Sequence, residues 1–175
     1  MSLRLSAANC TTLTRMANLT GTRHGDAANE LLNFYNIQAE MLERSGQYFM
    51  SAIALAFAVE TAVLAYLLVE FGDDNGGELK IPDDVNFSGL IDAARELDVL
   101  HAPVDIPSHV GGDGATDLPK HIADEVVDKI RRFRNLIHPA RALKESYDPR
   151  TFSKAQLQEF QDMYESVMHS LLYYL

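Results

Sequence analysis

A single cysteine, Cys10, stands in a chain of 175 residues, so an internal disulfide is excluded and a reducing compartment is expected. Basic charge is also scarce. Fifteen Lys and Arg face twenty-five Asp and Glu, a formal net charge of −10. Acidity of that size argues against broad electrostatic binding of nucleic acid, which needs cations to neutralise phosphates, though a local basic patch is compatible with it. No positive segment followed by an apolar run opens the chain, so no signal peptide is expected and a cytoplasmic location is. There is no glycine-rich phosphate loop, nucleophile elbow or paired-cysteine motif. His101, His109 and His121 lack the spacing of a metal site, so neither metal nor cofactor is expected. Strand patterns, internal repeats and low-complexity tracts are missing too.

What is present is apolar and helical. Hydrophobic residues make up 47% of the chain, enough for one core without staples. Residues 1–25, rich in Ser, Thr and Asn, read as a flexible tail, and 26–175 as a single domain. Apolar residues at helical spacing predict five helices, over about 26–44, 47–71, 88–100, 117–138 and 153–174. Asp26, Asn86 or Ser88, and Asp117 are the expected caps. The stretch Phe49–Val69 is long enough to span a bilayer, but Glu60 sits at its centre and alanine is abundant. It is expected to be a buried bundle helix, with Glu60 paired to an arginine, Arg134 or Arg131. The fold class is therefore all-α, an up-and-down bundle of five helices, with no membrane partner.

The chemically suggestive run is Arg131-Arg132-Phe133-Arg134-Asn135-Leu136-Ile137-His138-Pro139. On a helix continued to His138, Ile122, Val126, Ile130, Phe133 and Ile137 form the core stripe. Arg134, His138 and Arg131 then fall on one flank within about 60° of arc, whereas Arg132 points about 120° away from His138. Arginine can grip a phosphate through two parallel hydrogen bonds, and histidine can move a proton near neutral pH. Arginines near a helix C-terminus and a histidine before proline are equally ordinary as dipole partners and caps.

The segment from Ile130 to Pro139, followed by Ala140 and Arg141, resembles the terminal motif of HEPN-like proteins, an arginine, four to six residues, then a histidine. Phe87–Leu100 also looks like the helix that precedes this motif in bacterial members. The resemblance implies a helical bundle pairing as a two-fold homodimer, with two motifs meeting at the interface. It implies either a metal-independent endoribonuclease of a toxin–antitoxin or phage-defence system, or a non-catalytic module binding a protein, nucleotide or RNA partner. Carried over by position, His138 is the histidine and Asn135 the polar neighbour of Arg134. Three residues separate Arg134 from His138, five separate Arg132 and six Arg131, so Arg131 alone satisfies both count and face. The non-catalytic, homodimeric module is the first expectation and the nuclease the alternative.

Overall fold

In the computed structural model the described residues are 16–19, 21–71, 79–82, 86–97, 99–101 and 122–172. Strand β1 (Met16–Leu19) leads into α1 (Gly21–Arg44) and α2 (Tyr48–Phe71); β2 (Leu79–Pro82) and α3 (Phe87–Glu96) follow. Then come α4 (Ile122–Arg134), α5 (Pro139–Lys144) and α6 (Lys154–Leu172), with single 3-10 turns at Val99–His101, Asn135–Ile137 and Pro149–Thr151.

The all-α expectation is met in its coarse form, with two corrections near the start. Residues 16–19 and 21–25 belong to regular elements, not to a tail, and α1 begins ahead of the Asp26 expected to cap it. A strand was not expected at all, yet β1 pairs with β2 antiparallel, Met16 opposite Pro82 and Leu19 opposite Leu79. The partners lie about 60 residues apart in sequence, and each is only four residues long, too short for alternation to show.

Helix α1 ends in a Schellman turn. Gly46 takes φ +77°, a left-handed conformation that favours glycine. Its N–H donates to Glu43 O, and that of Gln47 donates to Leu42 O. The turn sends α2 back along α1. Ser51 Oγ donates to Ala39 O at 2.9 Å, and the rings of Tyr35 and Phe57 stack at 5.4 Å, an antiparallel register.

Helix α2 is the centre of the bundle, touched by α1, α3, α4 and α6. That explains its composition. A helix covered on several sides must be apolar around its circumference. Ala52, Ala56, Ala58, Val59 and Val63 are fully buried, and the small alanines let neighbouring helices approach closely. Tyr48–Val69 is long and apolar enough to cross a membrane, but 72% of its apolar window is buried inside this fold. Phe87 and Ile91 of α3, Val127 and Ile130 of α4, and Leu157 and Val167 of α6 complete the core. Each such side chain contributes about 1.5–3 kcal/mol by leaving water.

Two further corrections concern the segments around the candidate site. Helix α3 stops at Glu96, capped at its start by Asn86, whose Oδ1 accepts from Gly89 N at 3.2 Å. The stretch after Pro139, expected to be loop, forms α5 because proline suits the first helical position. The expected cap Asp117, together with His109 and His121, lies outside the described residues.

Candidate functional site

An aromatic cluster holds the end of α4 in place. Phe133 lies 4.8 Å from Phe160 of α6, 5.2 Å from Phe152 and 5.5 Å from Phe49 at the start of α2, ring centre to ring centre. Tyr147 closes the group against Phe49 and Phe133. With Phe133 anchored, the next residue, Arg134, is delivered to α2.

Arg134 is committed there. Its Nη2 lies 3.1 Å from Glu60 Oε2, and its guanidinium carbon sits 4.7 Å from the centre of the Phe57 ring and 5.9 Å from that of Phe87. The two charged side chains are only 22% and 19% exposed. Two elements thus converge on the cation that α4 supplies: α2 brings a carboxylate and a ring, and α3 a second ring. Cation–ring attraction strengthens when the cation is desolvated. Burial pushes the Glu60 carboxyl above its ordinary range and outweighs the opposing pull of Arg134. Of the two arginines offered as partners for Glu60, the structure places Arg134 beside it.

Arg131 is engaged elsewhere. Its Nε and Nη2 donate to Asp128 Oδ1 at 2.8 and 2.6 Å, while Arg132 Nε lies 2.7 Å from Asp128 Oδ2. One carboxylate therefore holds two guanidiniums of the same helix. Burial opposes the charge on Asp128, but hydrogen bonding and charge from Arg131, with Arg132 behind them, hold its carboxyl below the usual range. Arg132 remains 68% exposed and Arg131 24%.

His138 and Asn135 stand apart from this arrangement. Helix α4 ends at Arg134 and winds on as a 3-10 turn over Asn135–Ile137, so a 100° projection no longer relates His138 to the arginines. His138 is extended, φ −81° and ψ 121°, as expected for a residue before proline. It is the N-cap residue of α5, its carbonyl accepting from the N–H groups of Arg141 and Ala142, each at 3.0 Å. Its side chain is exposed and makes no capping bond. Asn135 is half-buried, and its carbonyl accepts from His138 N at 3.1 Å.

Residues 129–154 carry eight Lys and Arg against two Asp and Glu, in a chain whose net charge is −10. Lys129, Arg132, Arg141, Lys144, Arg150 and Lys154 are all exposed. Arg141 pairs with Glu145 and Arg150 with Asp148. Among the described residues, no group of three or more His, Cys, Asp and Glu is placed to hold a metal ion. Asp128, Phe57 and Phe87 were missed as parts of the site. The first was legible, because it precedes Arg131 and Arg132 by three and four residues on one helix. The two rings were not, because their contact with Arg134 exists only after three helices meet. Comparison with protein-family models, with curated proteins and with solved structures finds no match to the chain.

Proposed function

We propose that this chain is a non-catalytic HEPN-like helical module that binds a phosphate-bearing partner, RNA or a nucleotide, through the exposed cations of residues 129–154. The observation that carries the reading is the commitment of Arg134 to Glu60, Phe57 and Phe87. A metal-independent nuclease of this type needs a guanidinium presented to the scissile phosphate beside its histidine. Here Arg134 is directed into the bundle, and Arg131 spends two of its nitrogens on Asp128. The charge of the exposed stretch is opposite to that of the chain as a whole, which suits an anion.

A second reading rests on His138, whose exposed side chain lies within the basic stretch and makes no capping bond. It is a metal-independent endoribonuclease of a toxin–antitoxin or phage-defence system, with His138 moving the proton and Arg131 or Arg134 binding phosphate after leaving its carboxylate.

One experiment separates these. Labelled RNA is incubated with the protein and with His138→Ala in chelator, and binding is followed by fluorescence anisotropy at roughly 50 and 200 mM salt. The module leaves RNA intact in both samples and binds it more weakly as salt rises. Cleavage by the parent that is lost in His138→Ala establishes the nuclease instead. Absence of any salt-dependent binding to RNA or to nucleotides points to a protein partner.

A further inference from the structure

Helix α1 covers α2 with the face that carries Ala28 and Ala39, both buried. Its outer side is unusual for a surface. Leu31, Phe34, Ile37 and Met41 are 43, 51, 58 and 57% exposed. Their spacing of three, three and four residues makes them neighbours on one strip of the helix. Isolated exposed apolar residues need no explanation, but contiguous strips of large ones mark interaction sites on single chains.

The polar residues beside the strip indicate what covers it. Asp26 and Glu30 stand at its N-terminal end, and Arg44, with Glu40 one turn before it, at its C-terminal end, all four exposed. A two-fold contact requires that residue i meet residue j and j meet i, so apolar and charged contacts must share one centre. They do. Leu31 and Met41 are equidistant from position 36, with Phe34 and Ile37 astride it. Arg44 and the midpoint of Asp26 and Glu30 are centred on the same position. An antiparallel second copy therefore sets Leu31 of one chain against Met41 of the other. It also brings Arg44 of each chain to the carboxylates of the other. A parallel copy would place like charges together.

We infer that α1 is the docking surface for a second copy of this chain, in an antiparallel α1–α1 seam about 36 Å long for 24 residues. The seam runs along α1, whereas the HEPN resemblance would place the Arg131–His138 segment at the two-fold. It does not depend on what the basic stretch binds. In the dimer, Arg44 turns from its exposed in-chain contact with Glu40, 3.0 Å away, toward the facing helix or shares between the two.

Light scattering and sedimentation velocity of the full chain test this. The parent is expected at twice 19.5 kDa. Phe34→Glu, and separately Met41→Glu, should weaken the dimer by roughly 30-fold or more with the helical circular dichroism unchanged, because both side chains are on the surface. Arg44→Glu should weaken it by roughly tenfold, and Glu30→Arg combined with Arg44→Glu should restore it. A parent chain that stays monomeric at high concentration overturns the inference, as the strip would then be covered from within the chain. So does a dimer indifferent to both apolar variants, or one that the charge exchange fails to restore. RNA binding by the monomeric variants is read separately, so loss of either property leaves the other assessable.

Discussion

Replacing Arg134 by methionine isolates the ion pair from the packing, because methionine still fills the space between Phe57 and Phe87. Both partners are about one-fifth exposed, so the pair lies between a surface bridge and a fully buried one. Losing the cation–ring contacts costs about 1 kcal/mol. Leaving Glu60 without its counter-ion costs about 2 kcal/mol more. The sum of about 3 kcal/mol lowers the melting temperature of a chain this size by roughly 6–12 °C near neutral pH. The loss must also depend on pH, in a direction the structure sets. Burial raises the folded-state pKa of Glu60 above its ordinary 4.5, so the folded chain binds a proton more readily than the unfolded one just above that value. Stability from Glu60 is fully present below 4.5 and falls as pH rises through the folded pKa. Without Arg134 that pKa rises further, so the deficit of Arg134→Met shrinks as pH approaches about 5. Glu60→Gln removes this titration, and the two changes combined should cost less than their sum by about 1–2 kcal/mol. Urea unfolding of the four proteins at both pH values is the assay. Losses that add within about 0.5 kcal/mol, or a deficit that is the same at both pH values, refute the argument.

Two shorter predictions follow from single features. Asp128→Asn frees Arg131 and Arg132 from their shared carboxylate and should cost about 1 kcal/mol near neutral pH. The folded-state pKa of Asp128 is lowered, so its contribution is present above the ordinary 3.8 and lost as pH falls through the folded value. The variant should therefore converge on the parent in acid, which urea unfolding along a pH series measures. Ser146 holds φ 53° in the turn that closes α5, where its N–H donates to Leu143 O and that of Tyr147 to Ala142 O. Glycine takes that conformation without strain, so Ser146→Gly should raise stability by about 0.5–1 kcal/mol in thermal unfolding.

Where the sequence carried strong periodicity, it carried the structure. Helix α2 was legible from its apolar run, the α1 stop from Ser45-Gly46, and the break at Pro139 from proline itself. The strands were hidden because a four-residue pairing over a long separation leaves no local pattern. The site was legible in its address but not in its geometry. Arg131, Arg134 and His138 were brought to one flank by projecting a single straight helix. The turn at Asn135–Ile137 changed the winding between them and made His138 the N-cap of a new helix. The pairing of Glu60 was foreshadowed by its isolation in an apolar helix, whereas the choice of Arg134 over Arg131 was decided by Asp128, one turn earlier. The outer strip of α1 shows the same limit. Leu31, Phe34 and Met41 have the spacing of a core stripe, and only the packed bundle reveals that they face outward.

The place of α2 at the centre of the bundle has a consequence for synthesis. The ribosome releases the chain from its N-terminus, so α2 emerges with α1 beside it and ahead of α3, α4 and α6. The side chains of α6 that cover one side of α2, Leu157, Phe160, Val167 and Leu171, are translated about 90 residues later. At several residues per second that interval lasts seconds, far longer than helix formation. During it a segment apolar enough for a bilayer lacks the cover that α6 gives it. Glu60 lies half-way along that segment. Its charge penalises lateral escape into lipid until α4 arrives with the arginine that neutralises it.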